Sequence, residues 1–272
     1  MQPAIINVFL CPSCASNIRT DKEEAVCAGC GKRFPFLEGH LFLKEGDVSC
    51  KRTTRKESLW RKYLKPPGPC WNKFSHNLVQ DYYRNAAAIQ DAVIMEFGSG
   101  DRRIGEDVIN VEIFPYPNVD VVIDPDVSRL PIADSSVDVI FCIGTIEHVP
   151  YPWKLVKEFH RILKTGGLLY LEAPFMQGIH ADPDDFFRFT PAGLRILLEQ
   201  FTIQEEGVSH GAIAGWLWVT REAFSSLIRP FYIPLKVVLS YVLFPFRFLD
   251  LPLIGRGKAN PVPSVIYAIA RK

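Results

Sequence analysis

Met95-Glu96-Phe97-Gly98-Ser99-Gly100 closes a short apolar run that begins at Ala92, and the reading of this stretch decides the fold. Apolar residues give way at once to two glycines around a serine. That change predicts a strand delivering the chain into a tight turn where backbone can approach a ligand closely. Alone, a G-x-G after a strand also marks many ordinary turns. The flanking sequence narrows the choice. Further apolar runs at 108–113, 119–124, 137–143, 168–173, 201–209 and 264–271 read as strands, and helical spacing covers 76–90 and about 153–163. Thr190-Pro191 supplies an N-cap and a first helical residue for another helix. Near-continuous apolar strands alternating with helices predict an α/β fold with a parallel sheet covered on both faces.

Polar residues fall in a fixed order along this pattern. After Glu96 and the glycine turn come Glu112 at the end of the second strand, Asp126-Val127-Ser-Arg-Leu-Pro131, Ser136-Val-Asp138, Ile146-Glu-His-Val149 and Arg161-Ile-Leu-Lys-Thr-Gly-Gly167. The ordered set resembles the class I S-adenosylmethionine-dependent methyltransferase domain, in particular the branch of ubiquinone- and menaquinone-biosynthesis enzymes, over roughly residues 92–210. The resemblance implies a Rossmann-like seven-stranded sheet and S-adenosylmethionine as cofactor. It assigns the cofactor loop to Glu96, Gly98, Ser99 and Gly100, the ribose to Glu112, the adenine to Asp126 and Val127, and the pocket near the sulfonium to Ile143 and His148. Two departures stand out: Arg102 replaces the family's third loop glycine, and the interval 99–107 is too short for a full crossover helix.

Seven cysteines include two C-x-x-C pairs, Cys11-Pro-Ser-Cys14 and Cys27-Ala-Gly-Cys30, with twelve residues between them. Two such pairs predict a closed tetrathiolate zinc ribbon in a reducing compartment, structural because no ligand position is left for catalysis. The segment 8–45 resembles the short zinc-ribbon family that includes the activator subunit of tRNA and protein methyltransferases. The expected organisation is therefore a zinc ribbon over 1–45, a basic linker or arm over 46–75, and the methyltransferase domain over 76–272. A hydrophobic helical insertion at 211–261 precedes the last strand.

The formal net charge of +1 gives no global attraction to nucleic acid. No signal peptide is visible at the N-terminus. The apolar region around 230–249 is interrupted by Pro234 and Pro245 and carries Lys236 and Arg247, so it reads as interfacial, not spanning. A cytoplasmic, membrane-peripheral location follows as an expectation. The insertion's aromatics and cations suit a membrane interface, a lid over a lipid-like substrate, or a contact in a homodimer.

Methyl transfer by in-line displacement needs positioning and, for an OH or NH acceptor, a base. His148 and His180 are the candidate bases, and Arg188, in Asp182-Pro-Asp-Asp-Phe-Phe-Arg188, is the candidate clamp for an anionic substrate. An internal Asp–Arg pair is the plainer reading of that segment. The expected acceptor is a small-molecule or lipid- or glycan-linked compound. Two alternatives stand beside it: an RNA methyltransferase using the basic run Lys51 to Lys65, and a non-catalytic adaptor with a degraded pocket.

Overall fold

A computed structural model of the chain describes residues 7–21, 24–44, 73–124, 128–181, 183–256 and 261–272. The cysteine-bearing module forms β1 (Ile18–Asp21), β2 (Glu24–Cys27), β3 (Arg33–Leu37) and β4 (His40–Leu43). Helix α1 (Lys73–Ala87) leads into β5 (Ile94–Phe97), β6 (Val108–Glu112), β7 (Val121–Ile123) and β8 (Val137–Ile143). Helix α2 (Pro152–Ile162), β9 (Leu163–Pro174), α3 (Pro191–Leu197) and β10 (Thr202–His210) follow. The helices α4 (Ala212–Leu227) and α5 (Tyr232–Leu243) then precede β11 (Gly255–Arg256) and β12 (Val265–Arg271).

The strands make one sheet in the order β1-β2-β3-β4-β7-β6-β5-β8-β9-β12-β10-β11. The seven strands expected from sequence are the run from β7 to β10, parallel except for β12, which lies antiparallel between β9 and β10. The sheet does not stop at seven, and it does not leave the ribbon as a bead on a linker. β4 pairs in parallel with β7, Leu41 with Val121 and Leu43 with Ile123, and carries the other ribbon strands with it. The reason is burial. β7 is three apolar residues with nothing exposed, and a bare edge there would leave unpaired N–H and C=O groups beside apolar side chains. Leu41 and Leu43 are fully buried in the same core as Phe9, Val111, Ile140 and Ala268. Phe9 also bridges to Ile132, and Leu10 N–H donates to the Pro131 carbonyl at 2.8 Å. Ribbon and sheet share one core.

Strand order turns at β5, whose neighbours β6 and β8 lead to opposite halves of the sheet. A crevice therefore opens at the carboxyl ends of these strands. Between Phe97 and Val108 there is no helix, as the short interval predicted. The bared face is covered instead by Ile104 and by α1, whose Leu78, Val79 and Ala86 pack with Ile94, Val108 and Phe141. Gln80 Nε2 donates to the Ile104 carbonyl at 3.2 Å, tying helix to turn. At α3 the Thr190 hydroxyl accepts from Gly193 N–H at 3.0 Å, with Pro191 at the first helical position, as expected.

The insertion between β10 and β12 is helical. Asp250, although 5% exposed, is fixed because its carboxylate accepts from Ile213 N–H at 2.9 Å and Ala214 N–H at 2.8 Å. These are orphan donors of the first turn of α4, so a residue far along the chain caps that helix. Glu222 joins the two helices, accepting from Tyr232 Oη at 2.7 Å and pairing with Lys236 at 2.8 Å. The stretch Tyr232–Leu253 is long and apolar enough to cross a membrane by length and composition, with 6% of its most apolar window buried. Within it α5 gives way to a 3-10 segment at Phe244–Leu253 that holds Pro245 and Pro252.

Candidate functional site

The crevice at the switch point is a cleft of about 430 Å³, within the range of small-ligand sites. Gly98, Ser99, Gly100, Glu112 and Ile143, which the resemblance assigns to the cofactor, line it together, and so does His148. Gly98 has φ +70°, and a Cβ there would sit 2.2 Å from Thr145 Cγ2, so both backbone and contact require glycine. Thr145 Oγ1 returns the contact by donating to the Phe97 and Gly98 carbonyls at 3.2 Å each. Glu112 projects from the end of β6, its carboxylate held by Gly100 N–H at 3.1 Å and Ile113 N–H at 2.7 Å. Ile113, Ile123, Leu130 and Val149 supply apolar wall. Asp126 and Val127 lie outside the described residues.

Glu96 departs from the expected role. It is fully buried behind the loop and does not line the cleft. Its Oε1 accepts from Arg102 Nε at 2.7 Å and also from Nη2, while Oε2 has no partner among the described residues. Burial pushes its carboxyl above the ordinary range, with Arg102 pulling the other way. Arg102, noted in the sequence only as a missing glycine, thus turns the loop's acidic residue into an ion pair. Its side chain, 42% exposed, forms part of the cleft wall.

His148 and His180 come together from residues 32 apart, their rings edge to face at 5.1 Å. Between them lies Glu147, 1% exposed, a residue the sequence reading left without a role. Its Oε1 is 3.4 Å from His180 Nε2 and 3.7 Å from His148 Nε2. The Glu147 carboxylate raises the His180 pKa above its usual value against the opposing effect of burial. His180 does not itself line the cleft; Trp218 of α4 stands against its other side at 5.6 Å.

Arg188, the candidate substrate clamp, is engaged within the protein and does not line the cleft. It forks onto Asp185 at 2.5 and 2.7 Å and donates to the carbonyls of Gln177 at 3.3 Å and Gly178 at 3.0 Å. Its donors are spent inside the protein, away from the cleft lining, and Asp185 is held well below the usual carboxylate range by that guanidinium. The plainer reading of this segment, an internal Asp–Arg pair, is the one found. The same loop nevertheless contributes Pro183, Asp184 and Phe186 to the cleft.

The four ribbon cysteines converge, all sulfurs within 4.8 Å, with Cys11 to Cys30 at 3.7 Å and Cys14 to Cys27 at 3.4 Å. Zinc–sulfur bonds of about 2.3 Å in a tetrahedron give sulfur separations of about 3.8 Å, so the set fits one ion. Gly29 N–H and Cys30 N–H donate to Cys27 Sγ at 3.3 and 3.4 Å. Hydrogen bonds from Ser16 bring the Cys14 thiol down to about 6. Cys142 is a buried core residue whose thiol burial pushes up, and Cys50 and Cys70 lie outside the described residues.

Comparison with known proteins gives the same class for the centre of the chain. Residues 103–171, about a quarter of the sequence, match the family model described as a methyltransferase domain. An uncharacterized methyltransferase of Mycobacterium bovis is 50% identical over 42 residues, 15% of this chain and 16% of that protein. The 27-O-demethylrifamycin SV methyltransferase of Amycolatopsis mediterranei is 29% identical over 90 residues, 32% of this chain and 30% of that protein. The chain thus spans less than a third of the length of these relatives. Among solved structures, a SAM-dependent methyltransferase of Thermotoga maritima is similar with a TM-score of 0.46 and 15% identity, covering 78% of this chain and 93% of that one.

Proposed function

We propose that the protein transfers the methyl group of S-adenosylmethionine to a small-molecule or lipid- or glycan-linked acceptor. The observation that carries this reading is the convergence of the Gly98–Gly100 backbone, the Glu112 carboxylate and an apolar wall on one open cleft at the switch point. The residues fit the cofactor. Gly100 has empty space where a side chain would be, so a ligand can lie against the backbone. Glu112 offers two carboxylate oxygens at the height where a ribose diol is held, and Ile113 and Leu130 offer flat apolar contact for a base. Arg102 is the cation at hand for the cofactor's carboxylate.

When bound, the cofactor supplies an activated methyl on a sulfonium, whose departure needs no acid. The chain's own work is then to hold, orient and keep dry. The glycine loop and Glu112 hold the adenosyl end, Phe186 and Val149 narrow the space beside it, and His148 stands on the wall where an acceptor proton can leave. An open cleft with Glu112 exposed to it argues against the adaptor alternative. The basic run proposed for RNA lies outside the described residues, and +1 overall charge gives RNA no added attraction.

The acceptor class rests on the insertion. Trp216, Phe224, Leu227, Phe231, Val242 and Phe248 are each about half exposed or more, on the helices that back His180 through Trp218. Such a surface beside a cleft suits an acceptor carried on a lipid, with the insertion resting in the interface. The ribbon holds a structural zinc ion.

Calorimetry with S-adenosylhomocysteine tests the central claim. Wild-type protein binds, and Glu112→Ala weakens binding about 10- to 100-fold, the worth of one or two charge-assisted hydrogen bonds. No heat from the folded wild-type protein refutes the reading. Flotation with anionic vesicles tests the interface, with Phe224→Ser/Phe231→Ser expected to remain unfloated.

A further inference from the structure

At the rim of the cleft, two imidazoles face one carboxylate. His148 Nδ1 lies 2.5 Å from the Asp184 carbonyl oxygen, and His180 Nδ1 lies 3.0 Å from the Gly178 carbonyl oxygen. At His148 the carbonyl only accepts, so Nδ1 carries the hydrogen and Nε2 is left to face the carboxylate; at His180 the Gly178 carbonyl and the Asp185 carboxylate at 3.6 Å favour a hydrogen on Nδ1, although Arg188 Nη2 lies 3.4 Å from the same nitrogen. Both Nε2 atoms point at Glu147 Oε1, at 3.7 and 3.4 Å. The other carboxylate oxygen, Oε2, is buried with no hydrogen-bond partner among the described residues. A carboxylate oxygen facing two ring nitrogens at this spacing calls for a positive charge between them, which either a proton on His180 Nε2 or a metal ion supplies.

The spacing suits a metal ion. One ligand atom from each residue lies within 4.8 Å of the others. A tetrahedral centre with bonds of about 2.1 Å has ligand separations of about 3.4 Å, close to those found. The surroundings also match what metal-bound histidines require, an outer acceptor on the second ring nitrogen that fixes tautomer and orientation. Both carbonyls that play this part belong to the loop after β9, and that loop is held rigidly. Arg188 forks onto Asp185 and donates to the Gly178 carbonyl, Asp185 Oδ2 accepts from His180 N–H at 2.9 Å, and Phe186 N–H donates to the Glu147 carbonyl at 2.8 Å. The acid- and aromatic-rich segment from 183 to 188 thus becomes intelligible as a brace for two imidazoles.

We propose that Glu147, His148 and His180 bind a single divalent first-row transition-metal ion, with zinc as the type, separate from the ion of the cysteine ribbon. Two imidazoles and one carboxylate leave coordination room, and His148 puts the ion at the cleft wall. Its role, though not its presence, rests on the methyl-transfer reading. An acceptor hydroxyl brought against the ion's open side gives up its proton to water more readily. The oxygen then takes the methyl carbon, the carbon–sulfur bonding pair stays on sulfur, and one proton is released with no change of oxidation state.

The test uses the full chain, stripped of metal, reloaded with zinc and dialysed, with metal counted by mass spectrometry. His148→Ala/His180→Ala is expected to hold one ion fewer than wild type while cobalt-loaded samples keep the same thiolate-to-metal absorption from the ribbon. Arg188→Ala, which loosens the brace, is expected to weaken the second ion about 10- to 100-fold. An equal ion count in wild type and double variant overturns the proposal. Should the double variant fail to fold, X-ray absorption at the zinc edge of wild-type protein decides: nitrogen and oxygen scatterers beside sulfur are expected, and sulfur alone overturns the site. A second ion bound by a protein that takes up no S-adenosylhomocysteine leaves this site standing and removes the methyl-transfer reading instead.

Discussion

Phe9→Ala is the perturbation that asks whether ribbon and sheet are one folding unit. Phe9 precedes the first cysteine, is fully buried, bridges to Ile132 and shares its core with Leu41, Leu130 and Val121. Truncating a buried phenylalanine costs about 3–5 kcal/mol through lost burial and the cavity left behind. For a chain of this size each kcal/mol lowers Tm by about 2–4 °C, so a fall of about 6–20 °C is expected. The assay is thermal unfolding of the cobalt-loaded protein, followed both by far-ultraviolet circular dichroism and by the ribbon's thiolate absorption. With a shared core, the two signals fall together and move down together in the variant. Affinity for S-adenosylhomocysteine falls as well, because the segment Val8–Leu10 braces the loop 130–133 that carries Leu130 into the cleft. A ribbon signal lost well before the sheet signal, or a variant in which the sheet melts at the wild-type temperature, refutes the reasoning.

Arg102→Ala strands the buried Glu96 carboxylate. The cost is about 2–3 kcal/mol, below that of breaking a fully buried pair because the guanidinium is partly in water, and Glu96→Gln in the same chain recovers part of it in denaturant unfolding. A variant as stable as wild type would show that the pair is idle. Glu172, fully buried and accepting from Tyr170 Oη at 2.6 Å, has its carboxyl pushed up by burial against that hydrogen bond. The stability its protonated form gives is complete below the ordinary value of 4.5 and is lost as pH rises through the folded-state value. Glu172→Gln cannot ionise, so its Tm advantage over wild type grows as pH rises from the ordinary value of 4.5 through the raised folded-state value. A constant difference across that range refutes the assignment.

The parts of this molecule that were legible in sequence are those with a local signature. Gly98 and Gly100 announced a turn that needs left-handed backbone, Glu112 stood at the end of an apolar run, and the cysteine spacing announced a four-sulfur cluster before any contact was known. The interval 99–107 was too short for a helix, and none is there. What stayed hidden depends on contacts between distant residues that follow no period. Nothing in His40–Leu43 advertises a parallel partner some eighty residues on. Glu147 read as one letter in a family pattern until the fold set it against His180. The Arg188 pairing with Asp185 could be anticipated from their spacing, but the three backbone carbonyls that take its other donors, of Gln177, Gly178 and Phe187, cannot be read from residue types. Arg102 was visible as an anomaly, but its meaning required the knowledge that Glu96 is sealed from water.

The tether between β4 and the sheet has a consequence for assembly. A strand that is covalently attached docks at an effective concentration in the millimolar range, whatever the abundance of other chains. Any foreign polypeptide seeking the β7 edge must outcompete that resident strand as well as bind. The β7 edge is thereby closed to recruitment, and among the described residues the sheet's free margins lie elsewhere, at four-residue β1 of the ribbon and at two-residue β11 beside β10.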